Sequence, residues 1–533
     1  MVSLIRSHRP WFAFAGILVI AAASAARAAE ARGRVVEVQF WKERRENPFT
    51  GRVIFFFNSD TRAEPRSAHG WTSREPIFSQ EVRNWGPDTP MRFDQLNGFP
   101  CDPAELPAGK YAVQAVMPTN IDLPHSGKAP GNLYSKSRVV DWTPADAKVI
   151  RLRISKRVKS PAGSVKTKNA RTVRIRSTCL SQFHGRDIFL QCTVAMPEAY
   201  HEHASIKFPA IYAIPGFGGN DREALMYATM LGLSKTPFVR IGLDATCPLG
   251  HHVFADSENN GPYGRALVEE LVPHLEKVFR LIPEPTARFL TGHSSGGWSS
   301  LWVQITFPDY FGGTWSTSPD PVDFHAFSQL NLYDPRTNFF EQPSGTPWPI
   351  MRNDDDVKLL LKDMARMEDV IGPGGQLHSF EAVFSPRSKD GKPALLWDRA
   401  TGKIDQRVVM AWRRYDICDK LRREWDSLGP KLAGKVTVIM GDADNFYLEG
   451  ATKLLMAELE KLDADARVII EPDRDHGTVM FSASFRRMID EMSEKFTESH
   501  PDFSIPDDKP DEAAETKHND DSPSEGEGED LGS

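Results

Sequence analysis

The sequence predicts an α/β fold, a mainly parallel sheet covered by helices on both faces, preceded by a small all-β sandwich. Three observations lead there. Beyond residue 170, apolar runs of strand length alternate with amphipathic runs of helix length, the pattern of successive βαβ units. Before residue 156 the apolar runs are all short, lack a helical period and are separated by Pro, Asn, Asp and Gly, which suits an immunoglobulin-like sandwich. The chain has 533 residues, more than one ordinary core uses, so two folded units with dispensable ends are expected.

The ends separate first. Residues 1–28 read as a signal peptide: Arg6 and Arg9 precede the apolar run Trp11 to Ala26, and Ala26-Arg27-Ala28 has the small-x-small shape of a cleavage site. An uncleaved anchor is the competing reading, but the run is shorter than the roughly 20 residues that span hydrocarbon, so no stable membrane span is expected after cleavage. Residues 498–533 read as a disordered acidic tail. Between Asp507 and Ser533 eleven acidic residues face only Lys509 and Lys517, with almost nothing apolar to offset the entropy of ordering. The chain's net charge of −7 is therefore concentrated there, and the body is near neutral. Nothing in it forms the basic stripe that nucleic-acid binding requires.

Between the ends the expected order is a β-sandwich over residues 29–156, a polar linker over 157–169, and an α/β unit over 170–497. In the first unit, strands are expected at Arg34 to Phe40, Arg52 to Asn58, Lys110 to Met117 and Lys148 to Ile154. In the second, strands are expected at Phe208 to Ile214, Phe238 to Asp244, Arg288 to Thr291, Lys435 to Met440 and Ala466 to Glu471. Helices are expected at Arg222 to Leu233, Gly264 to Phe279, Ser295 to Thr306 and Gly450 to Leu462. Residues 319–434 break the alternation and read as an insertion above the sheet edge. Trp348, His378, Trp397 and Trp412 within it read as core or as the lining of a groove.

Five cysteines, Cys101, Cys179, Cys192, Cys247 and Cys418, show no CxxC spacing and no zinc pattern. Cys179 and Cys192 flank Phe183 to Asp187, an expected hairpin turn, so a disulfide between facing strands and two buried thiols are both open. His251, His252 and Asp256 suggest a metal site only weakly, because adjacent histidines point apart; that segment reads instead as a pocket wall, and neither metal nor cofactor is expected.

The chemistry starts at Gly292-His293-Ser294-Ser295-Gly296, a G-x-S-x-G motif with an apolar strand before it and a helix after it. In that setting the glycines permit a sharp turn that presents the Ser294 hydroxyl at a helix N-terminus. A serine needs a base. After Ser294 the histidines are His325, His378, His476, His500 and His518, and only His476 directly follows a strand. An orienting carboxylate belongs between them, at the end of the preceding strand, where Asp442 and Asp444 compete. Asp444 is favoured, since Asp442 is better placed to bond its own turn. Oxyanion donors would be the amide of Ser295 and one from Pro215-Gly216-Phe217-Gly218-Gly219, with Phe217 first and Gly216 in reserve.

These segments together, Phe183-His184-Gly185-Arg186-Asp187, Tyr212 to Gly219, Gly292 to Gly297 and Asp475-His476-Gly477, resemble the putative esterase family, whose members include esterase D, feruloyl esterases, enterochelin esterases and mycolyltransferases. The resemblance spans about residues 170 to 495. It implies an α/β-hydrolase fold and a triad of Ser294, Asp444 and His476; it departs at the oxyanion turn, where many members carry His-Gly and this chain has Pro215-Gly216. The expectation is a secreted or periplasmic serine esterase, acting through an acyl-enzyme on a small-molecule or polysaccharide-linked ester. An acyltransferase, a peptidase and an inactive binding protein of the same fold are the rivals.

Overall fold

The computed structural model describes residues 35–124, 127–143, 148–160 and 165–506. The expected signal peptide and the acidic run from Asp507 onward lie outside the described residues.

The N-terminal unit consists of β1 (Val36–Phe40), β2 (Phe49–Asn58), β3 (Ile77–Trp85), β4 (Met91–Phe93), β5 (Asn97–Phe99), β6 (Gly109–Met117), β7 (Leu133–Ser135), β8 (Arg138–Trp142) and β9 (Ile150–Arg157). Where two separate sheets were expected, these strands form one hydrogen-bonded path, β4-β1-β9-β7-β6-β2-β3-β5, with β8 also on β6. The path folds over itself, because strands that are not neighbours meet in the middle: Phe40 of β1 packs edge-on against Trp85 of β3 at 4.7 Å, and Phe55 of β2 against Phe93 of β4 at 5.0 Å. Aromatic pairs at such separations add to the stability that burial supplies.

The second sheet has the order β10-β11-β13-β12-β18-β19-β22-β23. Its members are β10 (Ala170–Ser177), β11 (Ile188–Ala195), β12 (Ala210–Ile214), β13 (Val239–Leu243), β18 (Arg288–His293), β19 (Gly313–Thr317), β22 (Val436–Gly441) and β23 (Arg467–Glu471). The two-residue strands β14 (Thr246–Cys247), β15 (Gly250–His251), β16 (Asp256–Ser257) and β17 (Gly261–Pro262) make small ribbons beside it. β11 runs antiparallel to both neighbours, and from β13 to β23 all pairs are parallel. Every residue of β12 and β22 is buried, as strands covered on both faces require. Helices Asp221–Met230 and Ala483–Ser499 cover one face, whereas the helical stretch 263–278 and the helix Ser295–Thr306 cover the other. The stretch 263–278 contains a π-helical turn at Ala266–Leu271, just before Pro273, whose ring excludes a regular α-helical turn there.

Two expectations are corrected and one open alternative is decided. Around Phe183 the chain forms a helix, Thr178–His184, in place of the hairpin turn, because Ser177 Oγ accepts from the Leu180 amide and Gly185 closes the helix with φ 64°. Cys179 thus lies on a helix and Cys192 on β11, and both are free thiols. The last helix continues to Ser499, and Phe503 packs edge-on against Phe496 at 5.0 Å, so order extends past residue 498, where the tail was expected to begin.

Residues 319–434 form the hairpin β20 (Pro349–Asn353) and β21 (Asp356–Leu360) and the helices Leu361–Ile371, Gln376–Phe384, Gln406–Trp412 and Ile417–Leu432. This segment shares an apolar core with Trp298, Leu301 and Trp302 of the helix that follows Ser294. Trp397 and Trp412 are buried in that core. The helix Leu361–Ile371 in turn offers Met367 and Val370 to Ile54, Phe56, Ile77, Phe99 and Val116, which joins the N-terminal unit to the insertion through an apolar interface.

Candidate active site

The site is built where β18 ends. Ser294 has φ 60° and ψ −125°, a strained backbone for a residue with a side chain, held by its amide donating to the Thr317 carbonyl at 3.0 Å. Both glycines of the motif are dictated by contact. A Cβ on Gly292 would stand 2.2 Å from the Gly296 carbonyl oxygen, and one on Gly296 would stand 2.1 Å from that of Ile214. Tyr227 supports the turn from beneath, donating within 3.3 Å of the Gly292 carbonyl and lying 2.9 Å from Thr317 Oγ1; burial pushes its hydroxyl up to about 12.

His476 follows β23, in a loop that Asp475 organises by accepting from the amides of Gly477 and Thr478 at 2.9 and 2.7 Å. Its Nδ1 lies 2.7 Å from Asp444 Oδ2, while Asp444 Oδ1 accepts from the Phe446 amide at 2.8 Å. Asp442 is exposed and accepts instead from the Asp473 amide at 2.8 Å. Burial works against charge on His476, but the Asp444 carboxylate, with Asp320 and Asp475 behind it, outweighs burial and raises the imidazole above its ordinary value. Arg352 of the β20–β21 hairpin braces the acid loop, donating to the Asp444 carbonyl at 3.1 Å.

Opposite lies the turn after β12. A Cβ on Gly216 would come within 3.9 Å of Ser294 Oγ, so this backbone passes directly beside the serine. Among the described residues, the amides of Phe217 and Ser295 donate to no protein acceptor. Ser294, His293, His476, Gly216 and Phe217 all face one cavity of about 280 Å³.

The Putative esterase family matches residues 185–461, just over half of the chain. The chain belongs to that family. No curated protein matches it. Among solved structures it is similar to a ferulic acid esterase (11% identity, 61% of this chain and 99% of that one, TM-score 0.37). It is also similar to an S-formylglutathione hydrolase from Agrobacterium tumefaciens (14%, 63% and 98%, 0.37) and to Est1E from Butyrivibrio proteoclasticus (13%, 60% and 99%, 0.33). Membership rests on the sequence match rather than on these distant likenesses.

Several residues of this esterase's cavity escape the sequence reading. Asp320, just past the end of β19, is buried and accepts from Ser295 Oγ at 2.5 Å and from Gln376 Nε2 at 3.1 Å; burial raises its carboxyl to about 6. A carboxylate at the carboxyl end of the strand beside the serine's own was a readable signal. Gln376 comes from the insertion and had none. The His293 ring lies 4.5 Å from that of His476, and burial followed by the charge of that neighbour holds it neutral. Among the described residues its buried Nδ1 has no hydrogen-bond partner. Ile350, Leu359, Met364, Leu377, Phe380 and Leu448 make the remaining wall apolar.

His251 and His252 are both buried and do not form a cluster with Asp256. His251 Nε2 donates to the Pro215 carbonyl at 2.9 Å, which supports the turn beside Ser294 from behind. Among the described residues, the one group with metal-ligand spacing is Asp323, His325 and Asp416, with Asp416 engaged by the Phe324 and Asp419 amides and the Tyr333 hydroxyl. No helix of the described residues is long and apolar enough to cross a membrane.

Proposed function

We propose that this family member is a serine carboxylesterase in which Ser294 is the nucleophile, His476 the general base and Asp444 the acid that orients it. The observation that carries this reading is the His476–Asp444 pair at 2.7 Å, opening onto the same cavity as a serine held at φ 60°. With Nδ1 engaged by Asp444, Nε2 is the nitrogen left to take the Ser294 proton. The serine oxygen attacks the ester carbonyl, the oxyanion is met by the amides of Ser295 and Phe217, and His476 returns the proton to the departing alcohol. Water, activated by the same histidine, then releases the acid from the acyl-enzyme. Asp320 keeps Ser295, and with it one oxyanion donor, in place through the 2.5 Å bond.

The reading extends to action outside the cytoplasm, supported by the leader-like residues 1–28, and to esters linked to carbohydrate, by analogy with the relatives' class. The test uses the mature protein with a fluorophosphonate probe and p-nitrophenyl acetate. Wild type is expected to label and turn over, and Ser294→Ala is expected to lose labelling and about 10⁵-fold or more of its turnover. Full activity in Ser294→Ala sinks the assignment. Acyl transfer to an added sugar alcohol in preference to water would make the enzyme a transferase.

A further inference from the structure

The catalytic cavity is not closed by the α/β unit alone. Trp71, from the loop between β2 and β3 of the N-terminal unit, lines it. Its ring stacks on Phe217 at 5.8 Å with an interplanar angle of 22°, and meets Phe446 edge-on at 5.6 Å. Phe446 in turn packs edge-on against His476 at 4.9 Å. Trp71 therefore bridges the aromatic neighbour of the oxyanion turn and the aromatic neighbour of the base.

The loop that presents it is fixed at both ends. Upstream, His69 Nδ1 donates to the Pro65 carbonyl at 2.9 Å, its ring lies 4.9 Å from Phe56, and the Arg66 amide donates to Gln114 Oε1 at 3.1 Å. Downstream, the Ser73 amide closes a turn on the Gly70 carbonyl at 3.0 Å, and Arg74 pairs with Asp363 of the insertion at 3.0 Å. The apolar interface between the N-terminal unit and the helix Leu361–Ile371 holds the whole unit against the site, and Trp71 packs on that cluster and on the core of the insertion alike.

Chemistry decides which part of an ester meets this ring. The carbonyl oxygen must face the amides of the oxyanion turn, and the alcohol oxygen must lie within reach of the histidine that reprotonates it. A residue seated between Phe217 and Phe446 borders the alcohol as it departs, while the aliphatic wall of Ile350, Leu359, Met364 and Leu448 is left for the acyl group. We propose that Trp71 is a specificity-determining residue that forms the alcohol subsite, selecting esters whose alcohol carries a ring that can lay one face against the indole. The N-terminal unit is then a part of the esterase site rather than an appendage. This rests on the serine esterase reading above.

The test compares full-length wild type, Trp71→Ala and Trp71→Phe on cyclohexyl acetate, ethyl acetate and ethyl butyrate, with fluorophosphonate labelling of each. Trp71 is only partly buried, and thermal melting of each variant checks that it is folded. In Trp71→Ala, kcat/KM for cyclohexyl acetate is expected to fall about tenfold relative to ethyl acetate, as loss of one well-packed aromatic contact implies. Trp71→Phe is expected to retain most of the preference. The butyrate to acetate ratio should stay constant, and so should the breakdown rate of the acetyl-enzyme, read from the slow phase with p-nitrophenyl acetate, since the alcohol has already left. A labelled, active wild type whose cyclohexyl to ethyl ratio is unmoved by Trp71→Ala overturns the proposal alone, as does a shift confined to the acyl ratio. Failure of the wild type to label or to hydrolyse any ester overturns the serine reading and this subsite with it.

Discussion

Among the described residues two histidine–aspartate pairs are of almost equal length, His476–Asp444 at 2.7 Å and His325–Asp323 at 2.6 Å, with a third, His378–Asp369, longer at 3.0 Å. Their settings differ. The His476 side chain is 12% exposed and His325 is 44% exposed; both aspartates are buried, but Asp323 lies only two residues from its histidine and accepts from the His325 amide as well. His476 opens onto a cavity with Ser294 beside it, while His325 packs on Tyr333 at the start of the insertion. A short His–Asp contact is therefore no catalytic signature by itself. Burial of the imidazole, contact across 32 residues of chain and a strained serine lining the same cavity distinguish the pair to which we assign catalysis.

The sharpest way to break the contrast is to neutralise each pair. Asp444→Asn is expected to lower kcat by about 10³- to 10⁴-fold, because the amide leaves the imidazole in the wrong tautomer, and His325→Ala is expected to change it less than about twofold, since His325 does not line the cavity. Comparable losses from both would mean that the second pair is part of the machinery. Asp442→Asn should behave like His325→Ala, since Asp442 bonds only the loop of Asp473.

A smaller effect, on stability rather than chemistry, should follow Gly296→Ala. The new methyl would collide with the Ile214 carbonyl, and chemical denaturation should show a loss of more than about 2 kcal/mol. Unchanged stability would mean that the turn beneath Ser294 is looser than this packing implies.

The pH profile sharpens the comparison further. His476 must be neutral to act as base, so kcat/KM should fall on the acid side with a midpoint above the ordinary imidazole value of about 6.5. Removing the charge in Asp444→Asn should move that limb down in the residual activity; a limb that stays in place would assign it to another group. Because the folded state raises this pKa, the pair contributes stability below the unfolded imidazole pKa, and that contribution is lost as pH rises through the folded value. Asp320→Asn should shift the limb in the same direction but less, as Asp320 follows Asp444 among the charges that raise His476.

Much of the site was legible because its residues obey local rules. Gly292, Ser294 and Gly296 mark a turn that only glycine can flank, and a histidine directly after a last apolar strand is rare enough to single out His476. The choice between Asp442 and Asp444 came from turn position, and in the structure it is Asp444 that reaches the histidine, although Asp442 bonds a neighbouring loop rather than its own turn. Several of the missed elements have weak periodicity, although the helix Ala483–Ser499, absent from the expected elements, keeps a clear helical period in Phe485, Met488, Ile489, Met492 and Phe496. β4, β5 and β7 have three residues each, too few to show alternation, and β3 carries Gln80, Glu81, Arg83 and Asn84 among its apolar positions. The helix at Thr178–His184 was hidden by glycine at 185, which serves a helix end as readily as a hairpin.

By itself the sequence determined the alternating α/β scaffold, the all-β character of the N-terminal region and the residues from which the candidate site is drawn, since strand and helix periods and turn glycines are properties of neighbouring residues. Only the tertiary structure decided that the N-terminal strands run as one folded-over sheet, that Asp320 and Gln376 stand behind Ser295, and that Trp71 reaches across to Phe217 and Phe446. Those contacts join residues up to several hundred positions apart, and they follow from which apolar faces must be buried against each other rather than from any local pattern.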